Sequence, residues 1–170
     1  MITPALFKRY PDAQSMAKAE PEDIFEFIKS CTYPNNKAKH LSGMSRMLVN
    51  EFEGRVPSDP LTLQRLPGVG RKTANVVASV VFQKPVMPVD THVFRVSNRI
   101  GLVTNAKTPL EVEIQLSNHI PKELIRKAHH WLILHGRYVC KARNPLCSRC
   151  GLSDICKYYN KKITADRLKE

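Results

Sequence analysis

Long apolar runs are missing from this chain. No stretch approaches the length that crosses a bilayer, and Met1-Ile2-Thr3-Pro4 lacks the basic start and apolar run of a signal peptide. The expectation is therefore a cytoplasmic protein with no membrane partner. Acidic residues are scarce as well: 15 stand against 27 basic ones, a formal net charge of +12. The surplus is +4 over residues 1–84 and +8 over residues 85–170. Such an excess favours a polyanionic partner. Repeats and low-complexity tracts are absent. Cysteines are few and odd in number, five in all, four of them between Cys140 and Cys156. Without a secretion signal this argues against a disulfide scaffold and for metal ligation by the four. Cys31 stands apart and reads as a small, partly buried thiol.

What is present is a helical period almost throughout. The 170 residues, 42% of them apolar, suffice for one domain or two small ones. Ile2, Leu6 and Tyr10 share one face. Pro21 suits a first helical position, with Ile24, Phe25, Ile28 and Cys31 following at helical spacing. An asparagine of Tyr33-Pro34-Asn35-Asn36 is the expected cap of a long helix carrying Ala38, Leu41, Ser45, Leu48 and Phe52, closed by Gly54. A short helix ends at Leu66, and another carries Ala74, Val77, Ala78 and Val81 inward, despite a valine-rich run that resembles a strand. Lys84-Pro85-Val86-Met87-Pro88 is the expected linker. Beyond it helices are expected from Asp90 or Thr91 to Ile100, over 109–119 and over 122–137, with a frayed tail after Tyr159. The reading is all-α: two helical lobes, residues 1–84 and 85–170.

Two constellations carry chemistry. In Leu66-Pro67-Gly68-Val69-Gly70-Arg71-Lys72 a glycine turn enters a helix. Its amide N–H groups and the positive end of the helix dipole form a phosphate site. The lysine in the first turn is a potential nucleophile, because that field disfavours the ammonium. The second constellation is Cys140-x6-Cys147-x2-Cys150-x5-Cys156. Structural zinc sites come as two close cysteine pairs, and only Cys147 and Cys150 form one here, so the wider gaps favour a [4Fe–4S] cluster over zinc. Lys141 and Arg143 lie in the loop between the first two cysteines, where a pinned loop would hold their charges towards phosphate. Asp90 before Thr91 suits a helix N-cap.

These stretches, together with Val89-Asp90-Thr91-His92-Val93-Phe94-Arg95-Val96 and His129-His130-Trp131-Leu132-Ile133-Leu134-His135-Gly136-Arg137-Tyr138, resemble endonuclease III. That family comprises DNA glycosylases and apurinic/apyrimidinic lyases of the helix-hairpin-helix superfamily. The resemblance runs from about residue 3 to residue 159. It implies Lys72 and Asp90 as the catalytic pair. It places Gly68, Val69, Gly70 and Arg71 in the hairpin that grips the DNA backbone. It also implies Cys140, Cys147, Cys150 and Cys156 as ligands of a mainly structural [4Fe–4S] cluster. The implied partner is double-stranded DNA bearing oxidised pyrimidines or abasic sites, with the damaged base flipped into a cleft between the lobes of a monomer. His92, His129, His130, Trp131 and His135 receive no catalytic role and are expected to pack.

The resemblance also implies a departure. Members of the family carry a few dozen further N-terminal residues, which supply a helix to each lobe and a glutamine wedge that fills the gap left by the flipped base. A chain beginning at this Met1 is expected to expose apolar surface on both lobes and to lack that wedge. Rival readings are an adenine-specific mismatch glycosylase, which usually lacks the lysine, a non-enzymatic DNA-binding module with a cluster, and a zinc-bearing binding protein.

Overall fold

The computed structural model describes residues 2–167. Among them all regular structure is helical, and none of the helices is long and apolar enough to cross a membrane. The chain forms two compact units, Met1–Val77 and Ala78–Glu170.

The first unit holds α1 (Thr3–Arg9), α2 (Ala13–Ala17), α3 (Pro21–Ile28), α4 (Pro34–Phe52), α5 (Pro60–Leu63) and the start of α6 (Arg71–Val80). Its core gathers Leu6, Tyr10, Met16, Ile24, Ile28 and Ala38, with Tyr10 meeting Phe27 edge to face at 5.8 Å. The long helix α4 packs on α2 and α3 through a small-residue face, where Ala38, Ser42 and Ser45 are buried. A small face brings the helices close, and that closeness lets α4 satisfy the carbonyls that end α2. Ser42 donates to the Ala19 carbonyl at 3.1 Å, and Arg46 Nε donates to the Ala17 carbonyl at 3.1 Å. The start of α4 departs from expectation. No asparagine caps it; Tyr33 occupies the cap position in the left-handed region (φ 55°) without a side-chain cap bond. Pro34 at the first turn explains the earlier start, since proline supplies helical φ and needs no N–H acceptor there. The short helix α2 is an addition to the expected set, held by a capping box between Asp12 and Ser15.

The second unit holds the end of α6, then α7 (Thr91–Ile100), α8 (Pro109–His119), α9 (Lys122–Tyr138) and α10 (Lys157–Arg167). Met87, Val89, Val93, Val96, Ile100, Val112, Leu116, Ile125 and Leu132 form its core. Met87 and Pro88 are fully buried, so the proline segment expected to be a linker is packed into this core. The valine-rich run is helical, but Val81 lies beyond the end of α6 and is 64% exposed, so the inward stripe reduces to Ala74 and Ala78. The tail expected to fray is helix α10 as far as Arg167. It is tied to the unit by contacts with α7 that sequence periodicity does not encode.

Helices α7 and α9 cross at Gly136. A Cβ there would lie 2.9 Å from His92 Cβ and 3.1 Å from Val96 Cγ2. The glycine is thus required by close approach and lets α7 and α9 lie against each other.

Candidate nucleic-acid interface and metal centre

In the first unit the glycine turn is built by its sequence. The Val69 N–H donates to the Leu66 carbonyl at 3.0 Å, closing a tight turn with Pro67 and Gly68 at its centre. Gly68 has φ +76°, and a Cβ added to it would lie 2.8 Å from the His40 ring, so both conformation and space demand glycine. Gly70 differs. Its φ is not in the left-handed region and nothing lies within 4 Å of a Cβ built on it. No packing within the protein requires a glycine there. Its exposed backbone is free for close approach from outside. The Gly70 carbonyl accepts the first helical bond, from Ala74 N at 2.9 Å, so α6 begins at Arg71. Among the described residues the amides of Gly68 and Gly70 have no protein acceptor. Arg71, Lys72 and Thr73 are all exposed in the first turn that follows.

In the second unit Asp90 is the N-cap of α7. Its Oδ1 accepts from the amides of both His92 (2.9 Å) and Val93 (2.8 Å), which leaves Oδ2 without a protein partner among the described residues. The carboxylate is therefore fixed in direction with one oxygen available, and the cap reading and the catalytic reading are compatible.

The four cysteines lie at the other end of α7 and after α9. Cys140, Cys150 and Cys156 are free thiols. All four cysteines line a single recess of about 340 Å³, open mouth included, whose other walls are Ile100, Val139, Pro145, Leu146, Tyr158 and Tyr159, with His135 beside them. Short 3-10 turns at 147–149 and 153–155 direct Cys147, Cys150 and Cys156 inward. Around one zinc, thiolates bound at about 2.3 Å would sit only about 3.8 Å apart. Among the described residues no group of three or more Cys, His, Asp or Glu side chains is drawn together closely enough to hold a single ion. Four thiols spread around an apolar recess instead suit a polynuclear cluster.

Two side chains meet the cysteines here: His135, expected only to pack, and Arg99, to which the sequence assigned no role. His135 Nε2 lies 3.8 Å from Cys150 Sγ, and burial pushes its imidazole below the ordinary value. The Arg99 guanidinium lies 3.6 Å from Cys140 Sγ and donates to the carbonyls of Lys141 (2.7 Å) and Ala142 (3.0 Å). Arg95, one turn earlier, donates to the carbonyls of Cys140 (3.1 Å) and Gly136 (2.9 Å). The i, i+4 spacing of the two arginines was the available signal. Lys141 and Arg143 are exposed in the loop so pinned. Among the histidines expected to pack, His129 is buried, whereas His130 is exposed; Trp131 is 56% exposed.

A glycine hairpin entering a helix, a capped aspartate and a cysteine recess define a class, that of helix-hairpin-helix DNA repair proteins. The description "HhH-GPD superfamily base excision DNA repair protein" matches residues 1–122, and "iron-sulfur binding domain of endonuclease III" matches residues 140–156. Endonuclease III of Rickettsia felis is 44% identical over 163 residues, covering 96% of this chain and 76% of that protein. Endonuclease III of Escherichia coli K12 is 42% identical over 163 residues, covering 94% and 77%. A solved covalent intermediate of endonuclease III trapped on DNA superposes with a TM-score of 0.90 at 41% identity, covering 95% of this chain and 76% of that one. A thermostable thymine-DNA glycosylase follows at 0.83 and 29%, covering 94% and 75%. The chain belongs to the endonuclease III family. Its cofactor is a [4Fe–4S] cluster.

Proposed function

We propose that this protein is a bifunctional DNA glycosylase and apurinic/apyrimidinic lyase of base excision repair, acting as a monomer on chromosomal DNA in the cytoplasm. Its substrates are oxidised pyrimidines and abasic sites in double-stranded DNA. The observation that carries the reading is the start of α6. Unencumbered glycine amides and an exposed Lys72 stand together there, in a chain that superposes on endonuclease III covalently trapped with DNA.

In this reading the hairpin amides and Arg71 hold the phosphate backbone, and Lys141 and Arg143 add charge-assisted contacts to it. The target base leaves the stack at a cost of a few kcal/mol, which favours damaged, weakly stacked bases. The Lys72 amine attacks C1′ of the sugar as the glycosidic bond breaks and the base departs with a proton. Asp90, through its free Oδ2, stabilises the positive charge that develops on the sugar or takes the amine's proton. The sugar ring then opens: the C1′–O4′ bond breaks, O4′ takes up a proton and C1′ becomes an iminium, which acidifies C2′; loss of the C2′ proton expels the 3′ phosphate by β-elimination. Hydrolysis of the imine then frees Lys72. The four cysteines hold the cluster, which supplies a rigid, charged anchor for the 140–156 segment.

Borohydride reduction tests the reading, because it converts the imine into a stable amine. Wild-type protein on abasic-site DNA should give a covalent adduct that Lys72→Ala cannot form. Wild-type protein that carries its cluster, binds DNA and yields no adduct would leave only a binding module.

A further inference from the structure

We propose that Arg99 is a positioning residue that locks the loop between the first two cysteines into its DNA-binding shape and sets the electrostatic environment of the Cys140 thiolate. The proposal rests on the reading of Cys140–Cys156 as cluster ligands and of Lys141 and Arg143 as phosphate contacts.

The geometry is that of a clamp on both ends of the cysteine segment. At the beginning, one guanidinium nitrogen (Nη1) serves both Cys140 Sγ and the Lys141 carbonyl while the other (Nη2) donates to the Ala142 carbonyl. At the end, the same guanidinium lies over the Tyr158 ring, 4.6 Å from its centroid, two residues past Cys156. The Arg99 carbonyl itself sits 3.4 Å from Cys156 Sγ. One residue of α7 thus meets the surroundings of the first and the fourth cysteine.

Only arginine fits this set of demands. Two adjacent carbonyls need a planar fork, the ring needs a flat cation, and the thiolate needs a donor. Arg99 holds the carbonyls of Lys141 and Ala142, while the Lys141 and Arg143 side chains of the same loop are exposed. Carbonyls without that partner would turn to water, and the loop would lose the entropy advantage of being ordered before DNA arrives. A cation beside the Cys140 thiolate also favours the more negative, reduced state of whatever the thiolate binds.

Two variants of the full chain separate these effects. Arg99→Lys keeps the charge without the fork; Arg99→Gln loses both. The measurements are iron content, the midpoint potential of the bound cluster and the salt dependence of binding to abasic-site DNA. Arg99→Gln should lower the potential, weaken DNA binding roughly tenfold, the worth of one charge-assisted hydrogen bond, and make its salt dependence shallower. Arg99→Lys should hold the potential near wild type yet show the same shallower salt dependence. Wild-type potential and wild-type salt slope in both iron-loaded variants would overturn the proposal. Should Arg99→Gln fail to retain iron, Arg99→Lys decides: a wild-type salt slope in it refutes the clamp. Borohydride adducts from the same samples keep the two readings apart. Normal trapping with unchanged binding removes the clamp alone, whereas wild-type protein that carries iron, binds DNA and gives no adduct removes the enzymatic reading beneath it.

Discussion

The two glycines of the hairpin illustrate how one residue type serves two purposes. Gly68 is conformational: φ +76° and the His40 ring at 2.8 Å leave no room for a side chain. Gly68→Ala is expected to cost about 1–2 kcal/mol in denaturant unfolding, with DNA binding impaired as well. Gly70 has neither constraint, so Gly70→Ala should unfold at the wild-type midpoint while binding DNA more weakly. A stability loss in Gly70→Ala would contradict this division of labour. On the proposed mechanism Asp90 also serves two roles, helix cap and catalytic carboxylate. Asparagine can accept the amides of His92 and Val93 as aspartate does, so Asp90→Asn should keep its fold and its DNA affinity. Its single-turnover rate should nonetheless fall by about 100-fold or more, because the negative charge is gone. The glycine turn, the helix cap at Asp90 and the close spacing of the four cysteines were legible in sequence because each is a local pattern. The contacts of Arg99 with Cys140 and of His135 with Cys150 were not, because the partners stand 41 and 15 positions apart. The bond from Arg99 to the Lys141 carbonyl spans 42 positions, and nothing in a local pattern records it.

Among the elements, the crossing of α7 and α9 decides where Asp90 and the cysteine segment begin, since Gly136 sets how closely the two helices approach. Gly136→Val would drive a branched side chain into His92 and Val96. It is expected to cost about 1–3 kcal/mol or more and to reduce cluster retention, measured as iron per chain after purification. Capping makes a second prediction. The Ser15 amide, and then the Ser15 hydroxyl, hold the Asp12 carboxyl below its ordinary value. A depressed folded-state value means that Asp12 contributes stability above its unfolded value, near 3.8, and loses that contribution as pH falls through the folded one. Wild-type protein should therefore exceed Asp12→Asn in thermal stability at neutral pH, with the gap closing under acid. A gap that persists at low pH would show that the carboxylate charge is irrelevant to α2. The helices themselves were readable from period and punctuation, but not the start of α4 or the persistence of α10. Proline at the first turn displaced one, and tertiary contact with α7 ordered the other.

For the whole molecule, the charge of +12 predicts salt-sensitive DNA binding, with the logarithm of affinity falling linearly in the logarithm of salt concentration. Replacing Lys141 or Arg143 by alanine should reduce that slope by about one for each phosphate left without its cation, and the range of lesions processed should stay the same. Cys147→Ser should give colourless protein in which the 140–156 segment loses its order, read by protease sensitivity there, while the core of residues 1–77, which contains none of the four cysteines, stays protected. Sequence alone determined the helical class, the basic charge, the hairpin and the cysteine spacing, because period, turn chemistry and composition are properties of neighbours along a chain. Tertiary structure alone decided that Met87 and Pro88 are core, that Gly136 is a crossing point, that Gly70 faces open space and that Arg99 spans both ends of the cysteine segment. A periodic face says that a residue must be buried. Only folding decides what it is buried against, because hydrogen bonding and close packing act between groups that the sequence holds far apart.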